Sequence, residues 1–187
     1  MTLSEEPDGN YSERKKQFDR LKRGTPIGIF GSFYPSRKTG LLALQRFLWE
    51  AGYYPRISED LLAKKDQNRK KRDTLLDREL SERLIAESDI HIFVLVRGRE
   101  NEPRNLIQSV SMEIERLHTL SEHEHKSEKY VAVYAETGLI GTMGSVFEGL
   151  LILKKDDWVV EEFDDIQEIF KPARQFCMNC IQDRYRY

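Results

Sequence analysis

The run Ile90-His91-Ile92-Phe93-Val94-Leu95-Val96 constrains this chain more than any other segment. Only His91 interrupts seven residues that are otherwise β-branched, aromatic or leucine. A strand with one wet face alternates apolar and polar residues, whereas a strand covered on both faces is apolar throughout. The run therefore predicts a central parallel strand over 89–96 with helices packed on each side of it.

The flanking sequence supplies those helices and further strands. Short strands are predicted at 27–30, 53–57, 130–134 and 158–160, and helices at 39–51, 75–87, 141–153 and 164–183, with another around Gln108-Ser109-Val110-Ser111-Met112-Glu113. Gly52 stops the helix over 39–51. Five strands alternating with helices predict an α/β protein, a five-stranded doubly wound parallel sheet in a flavodoxin-like three-layer sandwich. The domain is expected over 26–187, after a polar N-terminal tail over 1–25 that carries a short basic helix at 11–23.

Composition narrows the function classes. The net charge of −2 provides no global field for nucleic acid or an anionic membrane surface. No apolar run reaches the roughly 18–20 residues needed to span a bilayer. The acidic start Met1-Thr2-Leu3-Ser4-Glu5-Glu6 is unlike a signal peptide, and 2 cysteines make no disulfide framework, so a cytoplasmic setting is expected. Cys177-Met178-Asn179-Cys180 lacks the second pair of a zinc site, and His123-Glu124-His125 sits in a polar stretch. No metal and no cofactor is therefore expected. The charge-dense stretch 64–73 reads as a solvated connection or as a lid over an anionic ligand.

Ligands of doubly wound sheets bind beyond the carboxyl ends of the strands, where the strand order reverses. The loops expected there are 31–38, 58–60, 97–106 and 135–141. In the first, Gly31 allows close backbone approach, Ser32 donates hydrogen bonds, Phe33 and Tyr34 offer faces for a base, and Arg37 and Lys38 suit a phosphate or ribose oxygen. The same pattern is also that of a plain strand-to-helix turn, and it is not a Walker motif.

One carboxylate stands out of pattern. At about 100° per residue, Ile107, Val110, Ile114, Leu117 and Leu120 form one apolar stripe, and Glu113 falls within it. An inward carboxylate costs free energy unless it is paired or lines a cleft. Beside an anomeric carbon, such a group can act as a nucleophile or stabilise an oxocarbenium-like transition state. Ser109 and Ser111 are small enough to let a sugar approach it. The alternative is a carboxylate satisfied by a helix N-terminus or a salt bridge.

Several of these segments together resemble a known family. Ile27-Gly28-Ile29-Phe30-Gly31-Ser32, followed by a helix and Ala51-Gly52-Tyr53, is similar to the opening of the nucleoside 2-deoxyribosyltransferase superfamily, which includes deoxynucleoside-monophosphate N-glycosidases. Arg78-Glu79-Leu80 and Leu84-Ile85-Ala86-Glu87-Ser88-Asp89-Ile90 resemble its acidic helix and the strand that follows. Ser109-Val110-Ser111-Met112-Glu113-Ile114 resembles its segment bearing the catalytic glutamate, with serines where the family usually has glycine. Arg97-Gly98-Arg99 stands where many members place an acidic residue.

The resemblance covers residues 26–152 and implies a Glu113 nucleophile, with Glu79 or Asp77 orienting substrate or moving a proton. Gly144-Ser145-Val146-Phe147-Glu148 is also similar to part of the lysine-decarboxylase-like nucleotide phosphoribohydrolases, which places Met143 and Glu148 near a ligand. In the deoxyribosyltransferases this region serves a neighbouring subunit, so a homodimer or higher oligomer is implied.

The expected partner is a nucleoside, nucleotide or NAD whose N-glycosidic bond is cleaved or transferred. One alternative is a nucleotide-binding sensor of the same fold without turnover. Another is a TIR-like NAD hydrolase, which also carries a glutamate on a helix after a parallel strand.

Overall fold

The computed structural model describes residues 9–32, 35–62, 74–98, 106–124, 130–154 and 157–185. Its strands are β1 (Pro26–Gly31), β2 (Tyr54–Arg56), β3 (Ile90–Leu95), β4 (Val131–Glu136) and β5 (Val159–Phe163). Its α-helices are α1 (Gly9–Gly24), α2 (Pro35–Glu50), α3 (Thr74–Glu87), α4 (Leu106–Glu124), α5 (Ser145–Leu153) and α6 (Phe170–Arg184). Every strand pair is parallel and the order is β2-β1-β3-β4-β5. This is the doubly wound flavodoxin-like order, whose direction reverses between β1 and β3.

β3 lies at the centre, and all six of its residues are buried. Alternate residues of each inner strand feed opposite layers. Ile29, Ile92 and Val94 face α2 and α6, meeting Leu44, Leu48 and Cys177. Phe30, Phe93 and Leu95 face α3, α4 and α5, meeting Leu84, Ile114 and Phe147. Of the stripe expected on α4, Val110, Ile114, Leu117 and Leu120 are all buried, and the side chain of Ile107 lies outside the described residues. Cys177 and Cys180 are not in a disulfide and are buried in the core of the α2/α6 layer.

The helices expected from 141 and 164 start later, α5 at Ser145 and α6 at Phe170, each preceded by a short 3-10 turn at Ile140–Thr142 and Ile166–Ile169. Two further boundaries differ from the sequence expectation for clear reasons. α2 begins at Pro35 rather than at 39, so the 31–38 loop is shorter than expected. Proline suits a first helical turn because its missing N–H would have no partner there and its φ is already helical. Arg37 and Lys38 thus belong to a helix turn instead of a loop. β5 extends to Phe163 through the exposed Glu161 and Glu162. It is an edge strand, so polar residues are admitted and the apolar signal stops early.

α2 closes in a glycine cap. Gly52 has φ of +85°, its N–H bonds to the Trp49 carbonyl at 2.8 Å, and the Tyr53 N–H reaches the Leu48 carbonyl at 3.1 Å. Lys22 of α1 donates to the Ala51 carbonyl at 2.9 Å, placing a cation at this helix C-terminus. Phe18 and Leu21 pack α1 against the same layer. No described helix is long and apolar enough to cross a membrane.

Gly31 ends β1 under α2. A Cβ placed there would lie 2.8 Å from Leu41 Cδ2 and 3.2 Å from the Val94 carbonyl oxygen. Leu41 is itself buried in the core. Gly31→Ala is therefore expected to lower stability by about 1–3 kcal/mol through overpacking, read as a lower urea midpoint with an unchanged slope.

Candidate functional site

Glu113 sits on α4, seven residues beyond Leu106, which places it about 10 Å from the start of the helix. α3 and α4 lie on the same face of the sheet and pack against each other. Into their groove, Ser81 Oγ donates to Glu113 Oε1 at 2.6 Å. The residue is partly exposed as a whole, yet its Oε2 is sealed from solvent and has no hydrogen-bond partner among the described residues. No described arginine or lysine pairs with it. Burial therefore dominates: desolvation pushes the carboxyl from its ordinary 4.5 up to about 7, and the Ser81 hydroxyl opposes part of that rise.

The surroundings are arranged by helical period. Arg116, one turn along α4, leans toward Glu82 of α3 at 3.9 Å, and Arg78 bonds to Glu82 at 3.0 Å. Asp77 lies one turn before Ser81 on the same face of α3, since residues four apart share a face. Glu79 is exposed, about 200° around the helix from Ser81. Of the acids expected on this helix, Asp77 shares the groove side, and Glu79 is turned to solvent by the helix period. Ser81 was not anticipated. It is the residue that meets Glu113, and a hydroxyl in mid-helix gives little signal in sequence.

A second cluster knits the carboxyl ends of the strands. The Arg97 backbone N–H donates to Glu136 Oε2 at 2.9 Å, and its guanidinium donates to the Thr137 carbonyl at 3.2 Å. Arg37 donates across the β1/β3 reversal to the Arg97 carbonyl. Lys38 pairs with Glu59 at 2.6 Å. Arg37 and Lys38 thus lie where a ligand of this fold would bind, each already engaged with the protein. Arg97 joins them, although it had no expected role.

The other expected residues fall as follows. Gly31 has the packing role already described. Ser32 is buried at the end of β1. Met143 is buried among the α4 and α5 side chains, and Glu148 is half-buried on the first turn of α5. Ser111 is half-buried on α4. Phe33 and Tyr34, the side chain of Ser109, and the charge-dense stretch 64–73 lie outside the described residues. Among the described residues, no group of three or more His, Cys, Asp or Glu is placed to hold a metal ion.

No protein-family model matches the chain, and no curated protein matches it. One solved structure similar to it is the metal-soaked flavodiiron core of Flv1 from Synechocystis sp. PCC6803, at 14% identity and a TM-score of 0.43. That match covers 94% of this chain and 39% of the other, so the chain spans well under half of that protein's length.

The raised Glu113 value has a consequence for stability. The folded chain holds this proton more tightly than the unfolded chain does. Stability from that site is fully present below about 4.5 and is lost as pH rises through about 7. Glu113→Gln removes the titration. The variant is expected to match wild type near pH 4.5 and to become more stable than it above pH 7, by on the order of 3 kcal/mol. Urea titrations of both proteins across this range measure the difference.

Proposed function

We propose that this chain binds a nucleoside or nucleotide at the β1/β3 end of its sheet and cleaves or transfers the N-glycosidic bond through Glu113. The observation that carries the reading is a buried carboxyl held by one hydroxyl, with no cation paired to it among the described residues. A structural glutamate in such a groove is ordinarily neutralised by an arginine or lysine. A carboxyl left to titrate near 7 has both protonation states available at neutral pH, which suits acid–base and nucleophilic work. The likeness of residues 26–152 to the deoxyribosyltransferase pattern supports the same assignment.

On this reading the ionised Glu113 attacks C1′. The C1′–N bond breaks, and the base departs with the electron pair and takes a proton from solvent. Water, or the nitrogen of a second base, then attacks C1′, and Glu113 leaves as a carboxylate. A phosphate on this reading would draw on Arg37 and Arg97 at the strand ends, in exchange for their bonds to the Arg97 and Thr137 carbonyls. The proposal extends to a cytoplasmic homodimer or higher oligomer, with the exposed Ile152 and Leu153 of α5 as apolar surface for the contact.

One observation favours a second reading. Oε2 is sealed, and Arg37 and Lys38 already have protein partners, which suits a nucleotide-binding module without turnover. A panel of nucleosides, nucleoside monophosphates and NAD separates the two. The leading reading expects release of free base by wild type and a loss of at least about a hundredfold in Glu113→Gln. Undiminished activity in that variant removes Glu113 from the reaction. A ligand that raises the melting temperature without base release supports the binding module.

A further inference from the structure

The Ser81–Glu113 contact is unusual for both partners. A serine in a helix interior ordinarily bonds back to a carbonyl of its own helix, or points to solvent. Ser81 instead spends its hydroxyl on a side chain of the neighbouring helix, 32 residues away in sequence, at 2.6 Å. A glutamate in an interhelical groove ordinarily uses both oxygens, whereas among the described residues Glu113 is held by Oε1 alone while Oε2 is sealed without a partner. The bond holds Oε1 in place and leaves Oε2 without a hydrogen bond among the described residues.

We infer that Ser81 is the positioning residue for Glu113: its hydroxyl pins Oε1, which leaves Oε2, sealed while the α3/α4 groove is closed, as the oxygen that meets the anomeric carbon of a substrate that parts the groove. This rests on the reading of Glu113 as the acting carboxyl. The hydroxyl has a second effect, because a donor to the ionised form favours that form and opposes the desolvation that would keep the acid neutral. Ser81 therefore orients the nucleophile and maintains its reactive charge state.

The other charged and titratable groups around the contact are few. On α4, Arg116 leans away to Glu82, and on α3, Arg78 bonds to Glu82 while Asp77 lies one turn before Ser81. From β3, His91 faces this layer with Nε2 against the Ile85 carbonyl at 3.1 Å. β1 contributes the apolar Phe30. Ser81 is the residue of this set that touches the Glu113 carboxyl.

The test is a carboxyl carbon NMR titration of Glu113 in the ligand-free full chain, with the resonance assigned by its loss in Glu113→Gln. Wild type, Ser81→Ala and Ser81→Thr are compared. Alanine favours a helix interior, and threonine keeps the hydroxyl, so a difference between these variants reports the hydrogen bond and not the helix. Ser81→Ala is expected to raise the Glu113 midpoint by about one pH unit, and Ser81→Thr to restore most of the wild-type value. A Ser81→Ala midpoint equal to that of wild type overturns the inference. That result leaves the base-release assay to judge Glu113 separately, while a shifted midpoint without base release overturns the glycosidic reading and keeps the Ser81 contact.

Discussion

The burial of β3 on both faces is the constraint on which this architecture depends. A strand with no wet residue has to have a layer of helices on each side, and its parallel neighbours require crossover connections long enough to supply them. Phe30 and Phe93 stack at 4.7 Å on one side of the sheet, while Ile29 and Ile92 meet α2 and α6 on the other. Once these two layers exist, the chain order places the reversal between β1 and β3. The carboxyl ends of β1 and β3 and the starts of α2 and α4 lie there. The helices also form grooves with one another, and the α3/α4 groove contains Glu113.

The groove matters because it sets two effects against each other. Desolvation favours the neutral acid, and the Ser81 hydroxyl favours the anion. Among the described residues no counter-charge cancels either effect, so the balance falls near neutrality. The strand-end cluster of Arg37, Arg97 and Glu136 is different in kind, because its charges are used to tie β1, β3 and β4 together. Arg37 and Arg97 thus lie at the carboxyl edge of the sheet, and the buried acid Glu113 lies between two helices.

Much of the architecture was legible from local pattern. β1, β3 and β4 could be read because strands covered on both faces give unbroken apolar runs. β5 was read short because Glu161 and Glu162 face solvent at an edge. The start of α2 was missed because Pro35 looks like a loop residue when its position in a first turn is unknown. Gly31 looked like a point of ligand approach, and its neighbour turned out to be Leu41. The inward direction of Glu113 followed from the helix period, which gives angles around one helix. Its partner did not follow, because periodicity says nothing about which residue of a second helix will face it. Asp77 and Glu79 attracted notice as acids, while the residue in contact was the less conspicuous Ser81.

The most direct measurement of the central claim is a crystal structure of the chain with a slowly reacting nucleoside or nucleoside monophosphate analogue. The account predicts the sugar C1′ within about 3.5 Å of Glu113 Oε2, Ser81 still bonded to Oε1, and any phosphate near Arg37 and Arg97. An analogue bound elsewhere, with Glu113 closed against Arg116, would contradict it.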